Sequence, residues 1–421
     1  MGQELPGLLF LQLSIVLVAC HLLSLILRPF KQPPVVAQMV AGLLLGPSLV
    51  GLIAFDWQQR IFPPSSMGII RSLGGVGLAL YMFTVGAEIN LSFLRTNARG
   101  ALAVSIAGTG LPLAIGAIVA TPLISEPKLF PSGNDAYLRI LFFSAAIAVT
   151  AFPVMARIID ESGLKTTGVA TIALSAGFTS DLVAWGLLAL VLGGLNRNFY
   201  GALLTLVGAV SFSIFVVVAV RPALGRLLAG RSNSGVRSNS NLFVMLVVVM
   251  MAAFVTELIG IHPAFGAFLV GAVAPRGHVT SEISLKITPV VVHLLLPLFF
   301  VYAGLNARIG LINSPKLVFI TLIIIGAACF SKVGSCWLTA RLAGYPNRDA
   351  TAIGALMNAR GLVELILLTV GLERRVIAPA LYSIMVLMAL VTTFVASPAL
   401  SAIYGTKALQ PETLIPVETR E

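Results

Sequence analysis

The chain has 421 residues, of which 58% are hydrophobic and 10% charged. Its mean hydropathy of +1.00 leaves too little polar surface to coat a soluble protein of this size, which excludes an ordinary globular fold. The excess of 27 Lys and Arg over 16 Asp and Glu would suggest a nucleic-acid partner in a soluble chain, but here the basic residues stand in short loops between apolar stretches and read as topology signals, so no nucleic-acid partner is implied.

At about 20 residues per crossing, the chain offers thirteen candidate spans. They lie near 8–28, 34–51, 67–88, 99–121, 137–160, 168–193, 200–220, 241–260, 263–275, 287–304, 316–340, 350–371 and 378–404. Met1 to Gly7 lacks a basic leader region, so the first stretch reads as a retained span, and Pro6 stands where a myristoylation signal needs Ser or Thr. An odd number of spans puts the termini on opposite sides of the bilayer. Placing the N-terminus outside gives sixteen Lys and Arg to the cytoplasmic loops and tail and nine to the other side, with Lys332 and Arg360 left inside the membrane. That bias predicts an N-out, C-in protein of the cell inner or plasma membrane. Ala229 to Asn241, rich in Ser, Asn, Gly and Arg, predicts a flexible cytoplasmic link between two halves. The segment 406–421 is expected to be a short cytoplasmic tail without a regulatory domain. Cys20, Cys329 and Cys336 lie in apolar segments, the last two about 10 Å apart along one helix, too far for a disulfide.

Two spans carry interruptions. In the fifth, Thr150-Ala151-Phe152-Pro153 combines a hydroxyl with a proline that removes a backbone donor and clashes with the preceding turn, freeing carbonyls around Val149 and Thr150. Freed carbonyls and the Thr150 hydroxyl suit a bare monovalent cation; a simple proline kink is the alternative. In the sixth span Asp181 stands alone near the middle of an apolar run. A carboxylate there costs at least ~2.5–3.5 kcal/mol, so it persists only where it faces a cavity, a partner or an ion path. Lys332, deep in the eleventh span with no acid on its own helix, needs a partner elsewhere. The twelfth span is interrupted at Asn358-Ala359-Arg360-Gly361, with Glu364 four residues after Arg360 on the same face. A structural ion pair explains Glu364, and Arg360 either completes that pair, offsets broken helix ends or steers the charge of Asp181. Seven spans separate the two interruptions, an odd shift that inverts one against the other, as in transporters whose broken helices meet at the bilayer midplane.

Glu88 and Glu257 lie near span ends and read as interfacial or structural. His21, His262, His278 and His293 lack metal-ligand spacing, so no metal site is expected beyond a transported monovalent cation. His262, before Pro263, reads as a helix cap or headgroup contact, with pH sensing as the alternative. There is no phosphate loop, dinucleotide fingerprint, His-Glu metal motif or Cys/His nucleophile constellation, so no cofactor is implied.

The motifs in order resemble one family over residues 8–405. They are Phe83-Thr84-Val85-Gly86-Ala87-Glu88, Thr150-Ala151-Phe152-Pro153-Val154, Ser180-Asp181, Gly260-Ile261-His262-Pro263, Leu296-Pro297-Leu298-Phe299-Phe300, Ser331-Lys332-Val333-Gly334 and Asn358-Ala359-Arg360-Gly361-Leu362-Val363-Glu364. Together they resemble the monovalent cation:proton antiporters, in the branch of bacterial Na⁺/H⁺ and K⁺/H⁺ antiporters and plant cation/proton exchangers. The resemblance implies a sodium/proton antiporter-like fold: two inverted repeats with crossed, discontinuous helices, assembled as a homodimer. It implies a fixed panel (8–88 and 241–304), a moving core (99–193 and 316–404), a linker helix (200–220) and an elevator-like shift. Asp181 matches the carboxylate that binds either cation or proton, Thr150 the ligand beside it, and Lys332 a lysine that pairs with an acid just before that aspartate. Here that preceding residue is Ser180. With one carboxylate, the simplest expectation is one K⁺ or Na⁺ exchanged for one proton. The alternatives are a membrane enzyme using Asp181 as general acid, and a non-transporting sensor or channel.

Overall fold

Apolar stretches become helices wherever backbone groups must find partners without water. The computed structural model, which describes residues 5–30, 32–88, 98–132, 135–164, 167–195, 199–229 and 235–405, is accordingly helical. Among the described residues 12 helices are long and apolar enough to cross a membrane, and the shorter apolar helix Pro263–Val273 stands at the position of the ninth of the thirteen expected spans. The spans are, in order, Leu5–Leu27, Pro34–Leu45 with the short turn Val50–Ile53, Pro64–Glu88, Ala98–Leu123, the broken pair Ala136–Ala148 and Phe152–Glu161, and Gly168–Leu195. The seventh runs from Phe199 to Ala229, the eighth is Gly235–Ile259, the ninth Pro263–Val273, and the tenth runs from His278 to Asn306. The last three are Pro315–Leu342, the broken pair Asn347–Met357 and Leu362–Glu373, and Pro379–Tyr404.

Two boundaries differ from the sequence reading. The eighth span starts at Gly235, so the second half of the predicted flexible link is helical: polarity marked it as a loop, yet Val236 to Asn241 holds no proline to stop a helix. Residues 230–234 of that link, and the tail 406–421, lie outside the described residues. The tenth span begins at His278 rather than near 287. Its first turns are polar, and Lys286 and Glu282 support them with a 3.1 Å pair one turn apart.

Prolines shape the long spans. Each of the two π-helical turns, Val216–Val220 and Val291–Leu295, ends just before a helix whose second residue is proline, Pro222 and Pro297. A proline ring clashes with the carbonyl four residues back, and those carbonyls belong to Val218 and His293, inside the widened turns. The seventh and tenth spans stay continuous because the wider turn absorbs the clash.

The largest apolar cluster joins the fourth, fifth, sixth, eleventh, twelfth and thirteenth spans, with Phe142, Ile147, Leu356, Leu365 and Met385 all buried, and continues into the second, third, ninth and tenth through Met39, Met82, Phe268 and Phe300. A second cluster gathers the third and seventh to tenth spans around Phe83, Val216 and Met245. A third ties the first and second spans to the third and tenth. The short ninth span is pressed against the third: a Cβ at Gly271 would lie 2.2 Å from the Phe83 carbonyl oxygen, and one at Gly86 2.3 Å from that of Phe268. Only glycine permits backbones to approach so closely.

The two broken spans cross at their interruptions. The Ala151 amide donates to the Ala359 carbonyl at 3.0 Å, joining one break to the other. Gly361 allows the approach, since a Cβ there would sit 2.9 Å from Val154 Cγ2. Thr393 of the thirteenth span serves the second break, its hydroxyl accepting from the Arg360 amide at 2.9 Å and donating to the Arg360 carbonyl at 2.8 Å. Replacing Thr393 by Val orphans a buried donor and a buried acceptor, each worth roughly 1–3 kcal/mol. Thermal unfolding in detergent is expected to drop markedly for Thr393→Val and to stay near wild type for Thr393→Ser; equal melting of the two variants would contradict this role.

Candidate ion-binding site

A helix broken in mid-membrane exposes carbonyls at one cut end and amides at the other, with partial negative and positive charge respectively. The chain assigns its buried charges accordingly. Ala136–Ala148 ends at Val149, which is extended (ψ 141). Around that carboxyl end the Arg360 guanidinium donates to the carbonyls of Ala146 (2.9 Å), Ile147 (2.5 Å) and Val149 (3.4 Å). Lys332 Nζ takes the carbonyl of Ala148. Both cations are fully buried. The Val149 carbonyl expected to face an ion is therefore engaged by Arg360.

Across the break, Phe152–Glu161 begins with Pro153 at its second residue, where a missing amide costs nothing. Asp181, 2% exposed, brings Oδ1 to 3.5 Å from the Phe152 amide, the outer limit of a hydrogen bond. The carboxylate thus lies at the amino end of the half-helix, where negative charge is favoured. The Thr150 hydroxyl, in the non-helical link, is fully buried and has no hydrogen-bond partner.

The second break repeats the pattern. Asn358 ends Asn347–Met357, its amide nitrogen 3.6 Å from Cys329 Sγ and its Oδ1 buried without a partner. Glu364 occupies the first turn of Leu362–Glu373. Its carboxylate lies 3.7 Å from Arg360 Nη1, too far for a hydrogen bond, and neither oxygen has a hydrogen-bond partner. The ion pair anticipated from the four-residue spacing is present, but Nη1 and Nη2 of the guanidinium donate to helix carbonyls.

Ser180 points elsewhere. Its hydroxyl is 3.1 Å from that of Ser105 and 3.3 Å from that of Thr109, both on the fourth span. All three are buried. Ser105, Thr109 and Thr393 were not anticipated; two hydroxyls four residues apart in an apolar span were the only available signal. Lys332 finds its direct partner in a helix end.

Cavities flank this centre at opposite ends of the ninth span. One, of about 900 Å³, is lined at the Gly260 end by Arg71, Glu257, His262, Tyr302, Thr369 and Glu373. The other, of about 520 Å³, lies at the Ala274 end beside Glu88, Arg276, Thr280 and Ser284. A 2.8 Å ion pair between Arg71 and Glu373 spans the first cavity, joining the third span to the twelfth.

A crossing of two interrupted helices over a buried carboxylate is the arrangement that the resemblance implied, and comparison with known proteins decides the family. The model of the transmembrane sodium/hydrogen exchanger family matches residues 14–404. The chain belongs to this family of monovalent cation:proton antiporters. Its members are transporters, which sets aside the enzyme reading, and the chain is an integral membrane protein. It is 34% identical over 403 residues to the Na⁺/H⁺ antiporter NhaS4 of Synechocystis, covering 95% of this chain and 98% of that one. It is 37% identical to cation/H⁺ antiporter 17 of Arabidopsis thaliana, covering 94% of this chain and 48% of the plant protein. The chain thus spans about half the length of that plant relative. The solved structure of the sodium proton antiporter MjNhaP1 from Methanocaldococcus jannaschii superposes with a TM-score of 0.70 over 97% of this chain and 99% of that one at 15% identity, which shows a shared fold.

His262 caps the ninth span, Nδ1 accepting from the Ala264 amide at 3.2 Å. That bond requires an unprotonated Nδ1. Burial, with a contribution from the Arg71 charge, pushes this imidazole from 6.5 down to about 4. Between those values the unfolded chain takes up a proton that the folded protein refuses, so stability rises with pH across that window and falls on acidification. His262→Asn keeps a capping oxygen and removes the titration. Melting temperatures between pH 7 and pH 4.5 are expected to fall less steeply for His262→Asn than for wild type; parallel curves would rule this linkage out.

Proposed function

We propose that the chain exchanges a monovalent cation, K⁺ or Na⁺, for a proton by an elevator-like alternating-access movement, with Asp181 as the shared binding group. The observation that carries this reading is Asp181 itself: a buried carboxylate at the amino end of a half-helix, beside a link whose Thr150 hydroxyl has no partner. A dehydrated cation needs several oxygens, and a carboxylate that holds a proton cannot serve it at full charge. Occupancy by one excludes the other, and that exclusion couples the two flows. The names of the relatives, sodium/proton and cation/proton antiporters, support the same substrate class.

In this reading the first to third and eighth to tenth spans form the panel and the fourth to sixth and eleventh to thirteenth form the core, linked by the seventh. The protein works as a homodimer in the plasma membrane with its N-terminus outside and C-terminus cytoplasmic, the orientation that the loop charges favour. Exchange is one cation for one proton, because the position before Asp181 is Ser180 and its hydroxyl is bound to Ser105 and Thr109.

In proteoliposomes, K⁺ or Na⁺ is expected to collapse an imposed pH gradient, and Asp181→Asn to abolish that collapse. Unchanged activity in Asp181→Asn would overturn the site. One-for-one exchange moves no net charge, so the rate is expected to be indifferent to membrane potential. A net charge per cycle would couple by about 2.3 kcal/mol per 100 mV, and a reversal potential that follows voltage would refute the stoichiometry.

A further inference from the structure

Asp181 is bracketed by aromatic rings on its own helix. Phe178 is three residues before it and Trp185 four after, so both lie on the face that carries the carboxylate, one turn to either side. Each ring meets the ninth span. Trp185 packs at a tilt against Phe265, with centroids 5.7 Å apart, and against His262 at 6.2 Å. Phe178 packs on Phe268 at 5.9 Å and on Phe152, the first residue after the break, at 6.1 Å. The Trp185 contact faces the end of the ninth span where His262 lines the larger cavity. The Phe178 contact lies further along the ninth span, on the side toward the end where Ala274 lines the smaller one. Along this helix a ring contact thus stands on either side of Asp181.

We propose that these two contacts are paired gates: Trp185 against Phe265 and His262 closes Asp181 from the larger cavity, and Phe178 against Phe268 and Phe152 closes it from the smaller. The proposal rests on the exchange reading, in which the sixth span belongs to the moving core and the ninth to the panel. Rings suit the task because they exclude water over a large area while their faces slide with little directional preference. Trp185 is 2% exposed and its Nε1 has no hydrogen-bond partner, so it is held by packing alone. A group held that way can part from the panel without breaking a polar bond. Exchange stays coupled only while one gate is shut, so losing either ring must open Asp181 to one side.

The test is side-specific labelling of Asp181 by a water-soluble carbodiimide in right-side-out and inside-out membrane vesicles, read by mass spectrometry of the Asp181 peptide. Trp185→Ala is expected to raise labelling from one face, and Phe178→Ala from the opposite face, by about tenfold, the population shift that loss of an aromatic pair allows. Trp185→Phe and Phe178→Tyr keep a ring and are expected to label like wild type. Should either alanine variant fail to fold, Phe265→Leu or Phe268→Leu opens the same contact from the ninth span and carries the same expectation. Labelling unchanged from both faces, or raised equally from both, overturns the gates. This readout does not depend on transport, so a failure of the gates is distinct from a failure of Asp181→Asn to stop exchange.

Discussion

A helix cannot be cut inside a membrane unless both cut ends find partners, and this constraint organises the centre of the protein. Each break leaves carbonyls without donors on one side and amides without acceptors on the other. The chain meets the carbonyls of the fifth span with two cations, Arg360 and Lys332, and the second break with one hydroxyl, Thr393, that donates and accepts. The remaining backbone link, Ala151 to Ala359, ties the breaks together. Removing any of these partners would strand polar backbone where water does not reach.

The same arrangement explains how several ionisable groups coexist in an apolar interior. Arg360 and Lys332 lie at a negative helix end, and Asp181 and Glu364 at the positive ends of the following half-helices. Charges are paired with helix termini before they are paired with each other. That is why the Arg360 to Glu364 contact is loose at 3.7 Å while the guanidinium is tight against carbonyls. It also leaves Thr150 and Asn358 with free oxygens, the kind of donor that a desolvated cation needs.

Hydropathy made most of the fold legible, because each crossing needs a long apolar run, and the lone Asp181 and Lys332 were visible as exceptions within such runs. The breaks were legible as well: Pro153 and the Asn358-to-Gly361 stretch interrupt otherwise strong helices. What escaped was anything settled by side-chain direction across space. The four-residue spacing of Arg360 and Glu364 suggested a pair, yet nothing in it told that the guanidinium would reach back to the fifth span. Thr393 and Ser105 look like ordinary small polar residues in apolar helices, where hydroxyls usually bond to their own preceding turn. The polar start of the eighth span read as a loop because composition reports polarity, whereas helix continuation depends on the absence of a breaker.

Ser180 shows how these choices connect. The family resemblance pairs the eleventh-span lysine with an acid at this position, and a buried ammonium that loses its acid is ordinarily costly. Here the ammonium of Lys332 is anchored to the Ala148 carbonyl, at a helix end that would need a donor in any case. Serine therefore leaves no cation stranded. It leaves no hydroxyl stranded either, because Ser105 and Thr109 receive it. With serine at this position, the fourth span supplies hydroxyls to Ser180 and the fifth supplies a carbonyl to Lys332. Asp181 then stands as a carboxylate at the first break, with the positive end of one half-helix before it and ring contacts one turn to either side.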